Sequence, residues 1–187
     1  MKFFLNPALR ILLFTNSLIL LAGAMLGPIY ALFVEEIGGS ILDAGYAGAI
    51  FALVAGITVL IIGRFSDKVK ESELIVVAGY LIMGVGFFLY TCVSSILFLL
   101  IVQAIVGFGQ AVYSPAFDAL YSKHLDRKKA AQEWGAWEAM LYFTSAIGAL
   151  IGGFIAWRFG FDALFVIMGL LSISSAFIIY LLPRKLL

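Results

Sequence analysis

Charged side chains are scarce in this chain. Asp, Glu, Lys and Arg together make up 12% of its 187 residues, whereas 64% of the residues are hydrophobic, and the mean hydropathy is +1.11. A soluble domain of this length needs a far larger share of polar residues to cover its surface. The composition therefore excludes a water-soluble globular protein and indicates a chain that lies mostly in a lipid bilayer.

Cysteine and histidine are almost absent, with one residue of each type, Cys92 and His124. A lone cysteine has no partner for an intramolecular disulfide, and no cluster of His, Cys and carboxylates has metal-ligand spacing. The chain has no glycine-rich phosphate loop. An intramembrane serine protease would need a histidine inside the bilayer, whereas His124 falls in a predicted loop. We therefore expect a protein that is not an enzyme, binds no metal or cofactor and has no nucleic-acid partner.

Six long apolar runs dominate the sequence. A helix needs roughly 20 apolar residues to cross about 30 Å of hydrocarbon, and runs of that length recur with short polar breaks between them. The first run continues past Pro28 to Val34, which is too long for the core of a signal peptide. We predict one all-α integral membrane domain that covers residues 1–187 and contains six transmembrane helices, at residues 11–34, 44–63, 74–92, 96–120, 133–156 and 162–182.

The basic residues are distributed unevenly over these breaks. If the N-terminus lies inside, the inner segments hold 11 of the 12 Lys and Arg residues, and only Arg158 lies outside. The outer loops instead carry Glu35, Glu36, Asp43 and Asp162. Because cytoplasmic segments of membrane proteins are rich in Lys and Arg, we expect both termini in the cytoplasm and a location in the cell (inner) membrane.

The chain resembles itself after a shift of about 90 residues. A shift of 87 places Pro28 on Pro115, and a shift of 90 aligns the third and sixth spans. Three spans per unit is an odd number, so the second unit, about residues 93–187, enters the membrane from the side opposite to the first, about residues 1–92. Such an inverted repeat is typical of secondary transporters, whose site lies where the repeats meet. The alternative is gene duplication in another kind of membrane protein.

Polar side chains inside a bilayer are costly, so their placement points to function. In the fourth span polar and small residues follow helical spacing and fall within about 80° of one face. The members of this stripe are Gln103, Gly107, Gln110, Ser114, Asp118 and Tyr121. We interpret Gln103, Gln110, Ser114 and Asp118 as the lining of a water-filled solute cavity. The alternative is a polar seam that holds neighbouring helices together.

Two further spans carry polar residues on one face. In the fifth span Glu138 and Tyr142 share a face, and Glu138 lies deep enough to bind a proton if its surroundings are dry. The alternative for Glu138, and equally for Asp118 little more than one turn from Lys123, is a pairing with a Lys or Arg near the membrane interface. In the first span Asn16 and Tyr30 share a face. We expect all four residues to line the cavity, whereas the third and sixth spans are poorest in polar residues and are expected to face lipid.

Two prolines are predicted to kink or loosen their helices and so to mark helix breaks, Pro28 in the first span and Pro115 in the fourth. Proline has no amide proton, so it cannot complete the hydrogen bonding of a helix. The two prolines occupy equivalent positions in the proposed repeats. Paired helix breaks at corresponding positions are the best sequence pointer to a transport site.

Three short motifs resemble those of the major facilitator superfamily. Residues 63–68 are similar to the signature loop of the family, with Gly63, Asp67 and Lys68 at its Gly, Asp and basic positions. The fourth span contains Gln-x-x-x-Gly-x-Gly where the family has Arg-x-x-x-Gly-x-Gly. The fifth contains Gly-Ala-x-x-Gly-Gly where the family has Gly-Pro-x-x-Gly-Gly.

This resemblance implies secondary active transport, or facilitated diffusion, of a small solute by alternating access, with a gating role for the signature loop and H⁺ or Na⁺ as a coupling ion. Family members have two six-helix halves that lie parallel about an axis along the membrane normal, and this chain matches one half. We expect a half-transporter that pairs with a second copy into a homodimer, in which the second span of one copy meets the fifth span of the other. The alternatives are a fragment of a twelve-helix carrier and a non-transporting membrane scaffold.

Overall fold

The computed structural model describes residues 5–183, and all regular structure in that range is helical. Seven α-helices follow each other within it: α1 Pro7–Leu26, α2 Tyr30–Glu36, α3 Ile41–Ser66, α4 Ser72–Leu89, α5 Ile96–Lys123, α6 Ala130–Phe159 and α7 Phe161–Leu181. Two 3₁₀ turns, Gly27–Ile29 and Tyr90–Cys92, follow α1 and α4. Lys2, Arg184 and Lys185, on which the predicted orientation partly depends, lie outside the described residues.

Six helical segments of the described range are long and apolar enough to cross a membrane. The first combines α1, its 3₁₀ turn and α2 into Pro7–Glu36, the third is Ser72–Cys92, and the others are α3, α5, α6 and α7. The largest difference from the predicted boundaries is that the first helix begins at Pro7 rather than at residue 11. Lengths of 21 to 30 residues are sufficient to cross the hydrocarbon layer. The prediction of an all-α protein with six membrane-spanning helices is confirmed.

Side chains at three helix starts satisfy backbone amides that have no partner inside the helix. The Asn6 side chain accepts a hydrogen bond from the amide of Leu9 at 2.8 Å, directly before Pro7 in the first turn of α1. At the start of α3, Ser40 and Asp43 form a reciprocal capping box. Ser95 caps α5 in the same way through the amide of Phe98. These caps set where the spans begin.

The turn between α6 and α7 is a single residue, Gly160, with a φ of +84°. A side chain at this position would be strained, since only glycine adopts such a φ readily. The turn therefore brings the last two spans side by side with almost no loop between them.

The six spans pack in a regular pattern of neighbours. α5 lies against α3 and α4, α1 lies against α6 and α7, and α4 packs against α7. The side-chain amide of Asn6 donates to the backbone oxygen of His124 at 2.8 Å, so the start of α1 and the end of α5 lie at the same end of the bundle. We call this end, which also carries residues 67–71 and 124–129, the basic end.

The helices approach one another closely where one of them has glycine. A Cβ atom added at Gly107 of α5 would lie 2.5 Å from the backbone oxygen of Phe51 in α3, and one at Gly79 of α4 would lie 2.6 Å from Cβ of Tyr113 in α5. One added at Gly152 of α6 would overlap the backbone oxygen of Met25 in α1. Small residues of this kind are how membrane helices associate, because lipid provides no hydrophobic force between them.

The spans differ in how much of each is covered by the rest of the chain. The buried share is 50% for the span that contains α4 and 44% for α7, but 11% for α3 and 17% for α6. The expectation that the third and sixth spans face lipid therefore describes only one face of each, because α4 and α7 bury their other faces against neighbouring helices. The most exposed spans are α3 and α6.

Candidate functional site

A groove runs between α1 and α5 and consists of two adjoining pockets that share Leu20, Gln110 and Tyr113. The first, which we call the Tyr30 pocket, has a volume of about 320 Å³. The second, the Asp118 pocket, has a volume of about 210 Å³ and lies nearer the basic end. The Tyr30 pocket also receives side chains from α3, α4 and α7, whereas the Asp118 pocket is bordered by α6.

Six of the eight predicted cavity residues line this groove. Tyr30, Gln103 and Gln110 border the Tyr30 pocket, and Gln110 also borders the Asp118 pocket. Asn16, Ser114 and Asp118 border the Asp118 pocket. The polar stripe of α5 therefore faces the polar side of α1 across an open space rather than a close helix contact.

The other two predicted residues, Glu138 and Tyr142, do not border either pocket. Both lie on an exposed face of α6, and Tyr142 is 73% exposed. The face of α6 that borders the groove carries Trp137 and Leu141, each one position before a predicted residue. Close packing of Gly148 and Gly152 against α1 sets this rotation of α6. The two faces have the same periodicity, so only the contact with α1 distinguishes them.

Asn16 is part of the core as well as of the groove. Its side-chain oxygen accepts a hydrogen bond from the hydroxyl of Tyr80 at 3.0 Å, and Asn16 is 2% exposed. The rings of Tyr80 and Tyr113 lie 4.8 Å apart in an edge-on contact. These two tyrosines were missed by reasoning from polar stripes, because a tyrosine in an apolar helix gives the same signal as any core aromatic residue.

Two hydrogen-bond donors in the lining are buried. The indole nitrogen of Trp137 has no partner among the described residues, whereas the hydroxyl of Tyr30 interacts with the side chain of Gln103. Leaving a buried donor unpaired costs about 1 to 3 kcal/mol. The unpaired indole donor is therefore available to a further hydrogen-bond partner.

The two prolines behave differently from each other. Pro28 lies in the 3₁₀ turn Gly27–Ile29 that separates α1 from α2, as the sequence predicts. α5 instead continues as an α-helix on both sides of Pro115, so the predicted kink or loosening there stays a prediction. Pro115 removes one backbone hydrogen bond, but α5 is held on two sides by α3 and α4, whereas Gly27 and Pro28 are exposed.

Comparison with known proteins assigns the chain to a family. The profile of the Major Facilitator Superfamily matches residues 12–186. The chain belongs to the major facilitator superfamily. The predicted family is thereby confirmed, and the family consists of transporters rather than enzymes.

Individual relatives are distant. An uncharacterised MFS-type transporter of Methanocaldococcus jannaschii, MJ1560, is 26% identical over 167 residues, which are 89% of this chain and 43% of the relative. Multidrug resistance protein MdtG of Erwinia billingiae is 24% identical over 185 residues, which are 96% of this chain and 45% of that protein. Multi-drug resistance efflux pump PmrA of Streptococcus pneumoniae is 26% identical over 163 residues, 85% of this chain and 41% of the pump. The chain spans about half the length of these curated relatives.

The signature loop of this major facilitator chain lies apart from the groove, at the basic end. α3 ends at Ser66, and Asp67 is its C-terminal cap. Asp67 and Lys68 are exposed, while Gly63 is partly covered in the last turns of α3. The structure thus places these residues where a second protein surface can reach them.

Proposed function

We propose that this major facilitator chain carries a small solute across the membrane by alternating access, with the groove between α1 and α5 as its binding site. The observation that supports this most strongly is the lining itself. Amide, hydroxyl and carboxylate groups from two membrane-spanning helices face one open space, which is costly in a bilayer unless the space holds water or solute. A volume of about 320 Å³ in the Tyr30 pocket lies in the range of small-molecule sites.

The neighbour pattern supports an inverted repeat. In the first unit the three spans are α1, α3 and α4, and in the second they are α5, α6 and α7, in the same order. If each helix of one unit is exchanged with its counterpart in the other, the α3–α5 contact becomes the α6–α1 contact. The same exchange turns α4–α5 into α7–α1 and leaves α4–α7 unchanged. The groove then lies between the first helices of the two repeats, where such transporters bind their substrates.

We further propose that a second copy of the chain completes the site as a parallel homodimer, with α3 of one copy against α6 of the other. α3 presents a stripe of small residues to the outside, and a Cβ atom added at Gly45, Gly48 or Gly56 meets nothing within 4 Å. The exposed face of α6 carries Glu138 and Ser145, which are poorly suited to lipid. Both faces suit contact with protein or with an aqueous cavity.

The same proposal includes an orientation in the membrane, a class of solute and an energy source. The basic end faces the cytoplasm of a cell whose inner membrane holds the protein, in accordance with the distribution of Lys and Arg. The solute is a small organic molecule, a choice supported by the two relatives named for multidrug resistance and efflux. Transport is coupled to H⁺ or Na⁺ or proceeds by facilitated diffusion.

Filling the groove tests the proposed path. Gly23 borders the Tyr30 pocket, and a Cβ atom added there meets nothing within 4 Å, so Gly23→Trp places an indole in the pocket with little strain elsewhere. Leu97→Trp is the matched control, because Leu97 is 72% exposed and borders neither pocket.

The measurement is uptake of a panel of radiolabelled sugars, amino acids and organic cations into proteoliposomes. We expect at least one solute to enter faster than into protein-free vesicles. We expect Gly23→Trp to lower that rate at least tenfold, and Leu97→Trp to leave it within twofold of the unaltered chain. Unchanged uptake by Gly23→Trp would show that solute does not pass through the groove. No uptake at all by a folded, assembled protein would instead support a scaffold.

A further inference from the structure

The Asp118 pocket contains a carboxylate without a counter-ion. Within residues 5–183 the Asp118 side chain makes no ion pair or hydrogen bond. It is exposed to the pocket. Asp118 is also the only formally charged residue among those that line the two pockets. Among the described residues, the lining of the groove therefore has one negative charge and no Lys, Arg or His.

This charge restricts what the groove can hold. A carboxylate that lines a groove of a membrane-spanning helix is costly unless water or an opposite charge compensates it. An anionic solute would add to the negative charge, and a neutral solute would displace water from Asp118 without replacing the compensation. A solute with one positive charge provides it.

The walls of the Asp118 pocket suit a cation in a second way. Three aromatic residues border it, of which Trp137 is partly exposed, whereas Tyr113 and Phe117 are almost fully buried. The faces of aromatic rings attract cations, and Trp does so most strongly. The Trp137 ring is itself supported by an edge-on contact with Trp134, with ring centroids 5.9 Å apart.

The adjoining Tyr30 pocket is suited to the rest of such a molecule. Its lining is largely apolar and includes Phe51, Met83, Phe87 and Met168. Eight residues of α5 separate Asp118 from Gln110, which both pockets share. That separation is about 12 Å at 1.5 Å per residue, so a molecule of modest size reaches from the carboxylate into the apolar pocket.

We propose that the groove binds a monovalent organic cation, with its charged group between Asp118 and Trp137 and its apolar body towards Phe51 and Phe87. This inference rests on the proposed function in that it assigns a solute class to the same groove. Its chemistry is that of a quaternary or protonated amine attached to an aromatic or aliphatic skeleton.

Two probes of nearly equal shape separate charge from size. N-methyl-4-phenylpyridinium is a permanent cation, and 4-phenylpyridine is its neutral counterpart at neutral pH. Binding of each to the full chain in lipid nanodiscs is measured by equilibrium dialysis. We expect the cation to bind at least tenfold more tightly than the neutral compound. Equal affinity would overturn the inference, and this comparison needs no variant.

Substitutions then locate the charge. Asp118→Asn is expected to weaken binding of the cation at least tenfold and to leave binding of 4-phenylpyridine within twofold. Asp162→Asn is the matched control, because Asp162 is an exposed aspartate at the start of α7, outside both pockets. It should leave both affinities unchanged. Trp137→Leu is the second variant, used if Asp118→Asn fails to fold. It should weaken binding of the cation several-fold.

The outcomes separate this inference from the proposed function. If Gly23→Trp abolishes transport but Asp118→Asn binds the cation as tightly as the unaltered chain, the groove is the path and the cation assignment is wrong. If the cation binds through Asp118 but no solute crosses the membrane, the assignment holds and transport is wrong.

Discussion

At the scale of single residues, glycines decide which helix faces meet. Gly148 and Gly152 let α6 approach α1 so closely that added Cβ atoms would collide with Ala24 and Met25. A Cβ atom added at their neighbour Gly153 would meet nothing within 4 Å. The two adjacent glycines of one motif therefore have different roles, and the structure separates them.

A single methyl group tests this difference. Gly152→Ala places a Cβ atom on the backbone oxygen of Met25, and overpacking of this kind costs about 1 to 3 kcal/mol. We expect a lower midpoint of thermal unfolding in detergent, by about 2 to 4 °C for each kcal/mol in a chain of this size. Gly153→Ala is the control and should unfold at the temperature of the unaltered chain. Equal midpoints for the two variants would contradict the close contact between α1 and α6.

Residue by residue, the sequence located most of the groove but not all of it. Gln103, Gln110 and Ser114 line it because their helical spacing puts them on one face of α5. Glu138 follows the same rule on α6 but lies outside the groove, since a helix that is apolar on most sides has more than one face with regular spacing. Trp137, one residue away, is visible only once the contact with α1 is known.

At the scale of helices, length and hydropathy were sufficient to place every span, because each must cross the same thickness of hydrocarbon. Breaks in helices were harder to predict. Both Pro28 and Pro115 remove a hydrogen bond, yet only Pro28 coincides with a change to a 3₁₀ turn. α5 remains α-helical around Pro115 and packs against α3 and α4, and these tertiary contacts are not visible in the local sequence.

Disulfide cross-linking tests the proposed contact of α3 with α6 between copies. Gly56 lies about 15 Å from the end of α3 at Ser66, and Tyr142 lies about 18 Å from the start of α6 at Ala130, at 1.5 Å per residue. Both of these ends belong to the basic end of the bundle, so the two residues lie at similar depth. In a chain with Cys92→Ser, we expect Gly56→Cys and Tyr142→Cys together to give a covalent dimer on mild oxidation.

The control pair for this experiment is Leu81→Cys with Leu170→Cys, because these residues lie on the exposed faces of α4 and α7. We expect this pair to stay monomeric on a denaturing gel. Equal cross-linking of the two pairs would mean random collision in the membrane and would contradict a defined interface.

At the scale of the whole molecule, the described helices leave their two least buried spans, α3 and α6, without a covering layer. Large apolar side chains on these spans are exposed, among them Leu53 and Leu60 on α3 and Leu150 and Trp157 on α6. Lipid can cover such side chains, but not a polar groove that opens between α1 and α5. The second copy that we propose would cover both the spans and the groove.

Mass measurement of the intact complex in mild detergent tests the assembly directly. We expect twice the 20.3 kDa of one chain. A complex of one intact chain, under conditions where the protein stays folded and binds its probes, would contradict the homodimer. It would leave the groove as a site that another protein completes.

The sequence by itself determined that the protein lies in a lipid bilayer, how many spans it has, where they end and which family it belongs to. These properties depend on hydropathy and on local motifs. The rotation of α6, the continuity of α5 through Pro115 and the joining of Asn16, Asp118 and Trp137 around one pocket were decided by the tertiary structure. Each depends on how closely two backbones approach across several helices, and hydropathy along a single helix contains no record of that distance.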